Sequence, residues 1–245
     1  MISSLPMYDR PETRAANDRL WTHFRDAYGD DAPKTLTRGE NPWDHWTNPA
    51  LVLSQTCGLP YRAKLHGEVT LVGSPIHDLL CKPGFYYSVI IARRSSNILT
   101  EKDFSKPTLA INDPLSQSGW AAANAFADAQ NLSFSQVIQT GAHVASAKAV
   151  ASGKADLAAI DAVTWSLIRK FDNFADDLMV LHETPPTPAL PYITRQNVDP
   201  QPIFKALEAA IATLSPEDQS ILSLTGLTYI PANDYLALPL PPDLP

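Results

Sequence analysis

The sequence predicts an α/β protein, because short apolar strands alternate with amphipathic helices along most of its 245 residues. A hydrophobic content of 44% and a charged content of only 18% provide enough apolar material for one large core or two smaller ones. In the middle third, three successive strand patterns each lead directly into a helix pattern. We therefore expect mostly parallel sheets flanked by helices.

The first ninety residues contain one long helix and several strands. A helix is predicted over residues 11–28, where Leu20, Phe24 and Tyr28 recur at helical spacing and Pro11 suits the first turn. The run 85–93 is rich in β-branched and aromatic residues, and its length suggests a strand that crosses from one lobe to another. The predicted strands are 2–7, 51–56, 69–73 and 85–93, with a loop at 31–49.

The middle of the chain repeats a strand-helix unit. Gly153 gives the helix that begins at His143 a good C-terminal stop, and the helix after Asp161 carries Trp165. The predicted strands are 108–112, 137–140 and 155–160, followed by helices at 121–130, at 143–153 and after residue 161.

The last third begins with an extended run and a proline cluster. The cluster TPPTP at 184–188 marks a linker or crossing point. Ser215 has the character of a helix cap, with acidic residues in the turn that follows. Strands are predicted at 178–183 and 191–194, helices at 201–214 and after residue 215, and an extended surface tail at 239–245.

Two predicted crossing points, near 85–94 and 180–188, divide the chain into two lobes. The first lobe is discontinuous and comprises residues 1–90 and 184–245, while the second comprises 91–183. Ligands of open α/β sheets bind beyond the C-terminal ends of the strands, so we expect a cleft between the lobes. That edge carries Asn112, Gly141, His143 and Asp161.

Composition excludes several classes of partner and compartment. The net charge of −7 and the absence of a Lys/Arg run argue against a nucleic-acid partner. No apolar stretch reaches the roughly 20 residues of a membrane span, so no membrane insertion is expected.

The N-terminus lacks a signal-peptide pattern and predicts a cytoplasmic protein as written. The alternative is a periplasmic chain whose signal was removed. Cys57 and Cys81 form no metal motif, their pairing stays open, and neither a metal nor a cofactor is expected.

The stretch INDPLSQSGW at 111–120 joins a strand to a helix through a turn rich in hydroxyls. The first N–H groups of a helix lack intrahelical partners and carry partial positive charge, so they can bind an anion. Ser116 and Ser118 add hydroxyl donors. The alternative is that Asp113 or Ser116 only caps the helix.

Five motifs are spread over most of the chain: SLPMYD at 4–9, LSQTCG at 53–58, NDPLSQSG at 112–119, TGAH at 140–143 and KADLAAID at 154–161. Together they resemble the phosphate/phosphite/phosphonate-binding proteins of ABC import systems, which have the type 2 periplasmic-binding-protein fold. The resemblance covers nearly the whole chain, and the last three motifs carry most of its specificity.

This resemblance implies a set of ligand-binding residues on the second lobe. Hydroxyls and backbone N–H groups at the helix start would hold the oxyanion, and a histidine at the next helix start would add a donor. An acidic side chain at the end of the next strand would contact the ligand or its protonated oxygen. The crossing strand would supply an aromatic ring. These roles correspond to Ser116, Gln117, Ser118, His143, Asp161 and Tyr87, with Tyr86 in reserve.

The first lobe departs from the family pattern. Family members place a tyrosine after the second strand, whereas here Gln55 and Thr56 would have to contact the ligand. The identity of the ligand is therefore open, and a phosphonate with an amino group is not assumed. Tyr8, just after the first strand, lies where this edge opens into the expected cleft.

The resemblance implies a solute-binding protein that captures a small anionic solute by lobe closure and delivers it to an ABC transporter permease. Two alternatives share the fold: a cytosolic lyase-type enzyme, with His143 and Asp161 as an acid/base pair, and a ligand sensor. The sequence has no recognisable nucleophile beside a base, which argues against an enzyme, and no catalytic residue is assigned.

Overall fold

The computed structural model describes residues 1–39, 41–95 and 106–244, so the predicted lobe 91–183 and tail 239–245 extend outside the described residues. The strands are β1 (Ile2–Ser4), β2 (Leu51–Gln55), β3 (Val69–His77), β4 (Phe85–Tyr86), β5 (Ser88–Arg93), β6 (Thr108–Ile111), β7 (Gln136–Gln139), β8 (Leu157–Asp161), β9 (Leu178–Glu183), β10 (Thr187–Pro188), β11 (Tyr192–Arg195) and β12 (Leu224–Thr228). The α-helices are α1 (Arg14–Tyr28), α2 (Pro42–Trp46), α3 (Gly58–Pro60), α4 (Ala122–Gln130), α5 (His143–Ala151), α6 (Ala162–Phe171), α7 (Gln201–Thr213), α8 (Pro216–Leu222) and α9 (Ala232–Leu236). Among the described residues, π-helical turns occupy Tyr61–Leu65 and Gln117–Ala121, and a 3-10 helix occupies Asn173–Asp177.

The described residues form two compact units. The first unit contains Met1–Phe85 and Pro188–Leu238, and the second contains the described parts of Tyr86–Thr187 and Pro239–Pro245. The chain thus passes from one unit to the other three times, and each unit has its own five-stranded sheet.

The first unit is built on a sheet with the strand order β1-β2-β11-β3-β12. Successive side chains of a strand point to opposite faces, and Leu71 and Val72 of β3 accordingly belong to different apolar clusters. On one face, α1 and α7 pack through Phe24 and Leu207. On the other, Trp46 of α2 and Tyr235 of α9 join the π-helical residues Tyr61 and Leu65.

The expectation of a mostly parallel sheet is wrong for the hydrogen-bonded pairs of the first unit. β1 and β2 are parallel, but β11 is antiparallel to both β2 and β3, and β12 is antiparallel to β3. Parallel neighbours require a crossover connection, whereas β11 follows the return of the chain from the second unit and inserts between two earlier strands. A strand pattern gives no information about this direction.

The second unit has the strand order β7-β6-β8-β5-β9. β6 pairs in parallel with β7 and β8, while β5 is antiparallel to β8 and β9. The pleat again separates two cores: Val89 and Ile91 of β5 face the cluster of α5 and α6, and Ile90 and Ala92 face the cluster of α4. The predicted strand 85–93 is interrupted at Tyr87, between β4 and β5.

Several short elements escaped the sequence patterns. The predicted loop 31–49 contains α2, which begins after Asn41, whose side chain accepts a hydrogen bond from the Trp43 N–H. The sequence patterns also did not predict the helical segments of residues 58–65, β12 or α9, since each is too short for a periodic signal. Neither Cys57 nor Cys81 forms a disulfide. None of the helices in the described part of the chain is long and apolar enough to cross a bilayer.

Candidate functional site

The candidate site of the second unit is built on three strand ends. β6, β7 and β8 run in the same direction and each leads to a helix start, so the polar residues after these strands share one edge. The loop after β6 is tied to the loop after β7 by the Gly141 N–H, which donates to the Asn112 carbonyl at 3.0 Å. This geometry brings the helix starts at Ser116, His143 and Asp161 into one neighbourhood.

Ser116 closes the first turn and caps it. Its backbone is extended, its Oγ accepts from the Gly119 N–H at 2.9 Å, and its carbonyl accepts from the N–H groups of Trp120 and Ala121. Ser116 therefore caps this turn, and its additional role in ligand binding stays a prediction. Capping does not use the Ser118 N–H, which has no acceptor among the described residues.

Ser118, His143 and Asp161 are in direct contact. The Ser118 Oγ lies 2.8 Å from His143 Nε2, and Asp161 Oδ2 lies 3.6 Å from the same nitrogen. A carboxylate only accepts hydrogen bonds, so its proximity favours the tautomer that carries the proton on Nε2. In that tautomer His143 donates to Ser118, whose hydroxyl hydrogen can then donate to a further group, whereas with the proton on Nδ1 the Ser118 hydroxyl donates to the ring.

Asp161 has two roles at the end of β8. Its Oδ1 accepts from the Thr164 N–H at 2.8 Å and caps α6, while Oδ2 faces His143. The cap fixes the rotamer of the carboxylate, so the cap and the predicted site role are compatible.

Burial controls the charge of His143. Desolvation lowers the pKa of His143 from its ordinary value of 6.5, and the Asp161 carboxylate and the backbone of Ala159 act in the opposite direction. Desolvation is the largest of these effects, so the imidazole is neutral at pH 7. The site therefore presents neutral hydrogen-bond donors beside one carboxylate.

The other predicted residues are distributed over both units. Gln117 is buried in the π-helical turn. Tyr87 is half-buried against the cluster of α5 and α6, and its carbonyl accepts from the Ala162 N–H at 3.0 Å, directly after Asp161.

In the first unit, Tyr8 and Gln55 come together. Both line a pocket of about 20 Å³, which is large enough to hold a water molecule, and His77 forms part of its wall. The Gln55 side chain donates to the Leu190 carbonyl at 3.2 Å. Thr56 is fully buried, and its N–H donates to the Pro191 carbonyl at 3.0 Å. A ligand role of Tyr8, Gln55 and Thr56 stays a prediction.

Asn112 and Gly119 pack against each other in the turn, although the sequence pattern did not place them among the candidate site residues. Asn112 Oδ1 is buried without a hydrogen-bond partner among the described residues. It lies against Gly119, where a Cβ atom would be only 2.0 Å from it. The only sequence signals were the strand-end position of Asn112 and a glycine inside a helix start. Among the described residues, no cluster of three or more His, Cys, Asp or Glu side chains could hold a metal ion.

Comparisons with known proteins agree with this architecture. The model of a family described as "ABC transporter, phosphonate, periplasmic substrate-binding protein" matches residues 69–235. No curated protein matches the sequence.

Solved structures with the same fold share little sequence with this chain. PhnD1 from Prochlorococcus marinus, in complex with methylphosphonate, is 15% identical with a TM-score of 0.75, covering 96% of this chain and 94% of that one. A binding protein component of an ABC phosphonate transporter from Pseudomonas aeruginosa is also 15% identical with a TM-score of 0.75, covering 96% and 82%. XAC2383 from Xanthomonas citri, bound to chloride, is 13% identical with a TM-score of 0.69 and 96% coverage of both chains.

Replacing Gly119 with alanine tests the packing of the turn. The new methyl group would meet Asn112 Oδ1 at 2.0 Å and Ser116 Oγ at 3.0 Å, so Gly119→Ala should destabilise the protein by about 1–3 kcal/mol. Gly58→Ala is the matched control, since its nearest contact is an ordinary 3.5 Å. Urea unfolding measures both, and equal stability of the two variants would contradict this packing.

The pH dependence of stability tests the burial of His143. Because its folded pKa lies below the unfolded value of 6.5, its contribution is fully present above pH 6.5 and is lost as the pH falls towards the folded pKa. His143→Gln should remove this part of the acid-induced loss of stability. The free energy of unfolding is measured by urea titration at several pH values. His66→Gln controls for the loss of an exposed imidazole in the first unit. An unchanged pH slope in His143→Gln would show that the buried imidazole makes no such contribution.

Proposed function

The chain belongs to the periplasmic substrate-binding proteins of phosphonate ABC transporters, and from this premise we propose that it captures a small oxyanion of the phosphate or phosphonate class on residues 116–118. Solute binding is the role of this family. The observation that carries the ligand assignment is the contact of Ser118 with His143: with the ring proton on Nε2, the Ser118 N–H and O–H can both donate to the same oxyanion.

Neutral donors suit reversible capture of an anion. Hydrogen bonds to a charged oxygen are shorter and about twice as strong as those between neutral groups. The aligned peptides of the helix that starts at Gln117 add partial positive charge at the same point. The site thus binds charge without the desolvation cost of a buried lysine or arginine.

Asp161 restricts the class of ligand. Its carboxylate would repel a fully ionised oxyanion, so it favours a ligand that carries a proton or another donor group. A singly protonated phosphonate or phosphate meets this requirement, with its P–OH directed to Asp161 and its charged oxygens to the turn. Gln117 and Tyr87 complete the proposed contacts on the second unit.

Lobe closure is the proposed mechanism of capture. The hinge would lie near residues 85–94 and 180–188, where the sequence places the boundaries of the two lobes, and Tyr8, Gln55 and Thr56 would contact the ligand from the first lobe. Hinge closure around a ligand is a common transition of two-lobed binding proteins. An ABC transporter permease in the membrane is the proposed partner.

The proposed compartment is the periplasm. The family description supports this alternative over the cytoplasmic expectation.

A lyase-type reaction is not favoured by the geometry. In an acid/base relay, the serine and the carboxylate contact different nitrogens of the histidine, so that a proton can pass through the ring. Here Ser118 and Asp161 both face Nε2. Such an arrangement orients the hydroxyl but provides no relay, which supports binding without chemistry.

Ser118→Ala tests the proposed site. Loss of a hydroxyl that donates to a charged oxygen should weaken binding of methylphosphonate or inorganic phosphate by roughly 1.5–3 kcal/mol, or about ten- to a hundredfold in Kd. Isothermal titration calorimetry measures the change, and mass spectrometry should recover the ligand unchanged.

Ser152→Ala is the matched control for this experiment. Ser152 is a serine of the same unit whose Oγ donates to the Ala149 carbonyl at 3.2 Å, at the end of α5 opposite to His143. Its substitution should leave Kd unchanged. Equal affinities of wild type and Ser118→Ala would remove the turn from the binding site.

A further inference from the structure

Trp120 connects the candidate binding turn to the C-terminal segment. Its backbone N–H donates to the Ser116 carbonyl at 3.1 Å and helps to close the turn. Its side chain is 97% buried, and the indole Nε1–H donates to the Pro242 carbonyl at 2.7 Å. Only Gly119 separates Trp120 from Ser118, so the anchored indole lies next to the backbone that presents the Ser118 donors.

The C-terminal segment, residues 239–244, packs on the second unit. It follows Leu238, the last residue of the first unit, and contains neither helix nor strand. Leu244 packs against the apolar cluster that includes Trp120 and Phe126. The prolines at 239, 241 and 242 restrict the backbone, which lowers the entropy lost when the segment docks.

The turn has few internal bonds to fix its position. A π-helical turn uses widely spaced hydrogen bonds, and the Ser116 carbonyl already accepts from both Trp120 and Ala121. A buried indole N–H without an acceptor is costly, so the docked residues 239–244 stabilise the present orientation of Trp120. Support from outside the turn therefore contributes to its geometry.

We propose that residues 239–244 hold the binding turn in its ligand-competent geometry, with Trp120 as the positioning residue. This inference rests on the proposed function, because the turn matters for affinity only if it binds the oxyanion. Trp120 does not contact the ligand in this proposal; it acts on Ser118 through the backbone of Gly119. The segment thus adds a determinant of affinity that lies behind the binding surface.

Two substitutions remove this support in different ways. Trp120→Phe keeps an aromatic ring but deletes the N–H donor, and Leu244→Ala deletes the apolar anchor of the segment. Each variant should weaken binding of methylphosphonate and of inorganic phosphate about 3- to 10-fold in calorimetry. The double variant should lose less than the product of the two effects, because both changes release the same segment.

The chain offers a matched control for each substitution. Trp21 is buried in the first unit, and its indole N–H also donates to a prolyl carbonyl, that of Pro33, at 3.0 Å. Leu240 lies in the same segment as Leu244 but is 63% exposed. Trp21→Phe and Leu240→Ala should bind both anions with the affinity of wild type.

Hydrogen exchange of the ligand-free protein separates positioning from a general loss of stability. In Trp120→Phe and Leu244→Ala, the backbone amides of residues 119–121, which bond to Ser116, should exchange at least about fivefold faster, while those of β5 and β8 keep their wild-type rates. The controls should leave the turn unchanged.

An unchanged exchange rate in the turn, or an unchanged affinity in both variants, would overturn the proposal. If wild type binds neither anion, the proposed function fails, and the exchange rates alone then decide whether residues 239–244 position the turn.

Discussion

The candidate site depends on one hydrogen bond, between His143 and Ser118. Asp161 lies near the same ring nitrogen and favours a proton on Nε2; with the proton there, His143 donates and the hydroxyl hydrogen of Ser118 is available to a ligand. Burial holds the imidazole neutral. Without this contact, the Ser118 hydroxyl would be free to rotate away from an incoming oxyanion, and the turn would retain only its backbone donors.

The fold supplies the precision that this contact requires. Three strands of one sheet run in the same direction and end in three helix starts, and the caps at Ser116 and Asp161 fix two of them. Each cap satisfies a backbone N–H and also locks a side chain that belongs to the candidate site. The anion would therefore meet donors that are already oriented, although the chain has a net charge of −7.

Local signals in the sequence predicted much of this architecture, including the α/β class and the resemblance to phosphonate-binding proteins, both of which are confirmed. The helix starts at His143 and after Asp161 could be predicted because caps, glycines and apolar spacing act within a few residues. The position of β11 between β2 and β3 could not, since pairing over such sequence distances leaves no local pattern. For the same reason the sequence did not reveal that Ser118 and Asp161 face one nitrogen, or that Trp120 binds residues 239–244. The ligand contacts themselves stay predictions.

The central claim is that the turn at residues 116–119 binds an oxyanion through uncharged hydrogen-bond donors. Titration of the ¹⁵N-labelled protein with methylphosphonate, followed by NMR, tests this claim most directly. The account predicts that the largest amide shift changes fall on Gln117, Ser118 and Gly119, together with a shift of the His143 ring nitrogen that faces Ser118. Saturable binding that leaves these signals unmoved would contradict the account, as would the absence of binding to both methylphosphonate and phosphate.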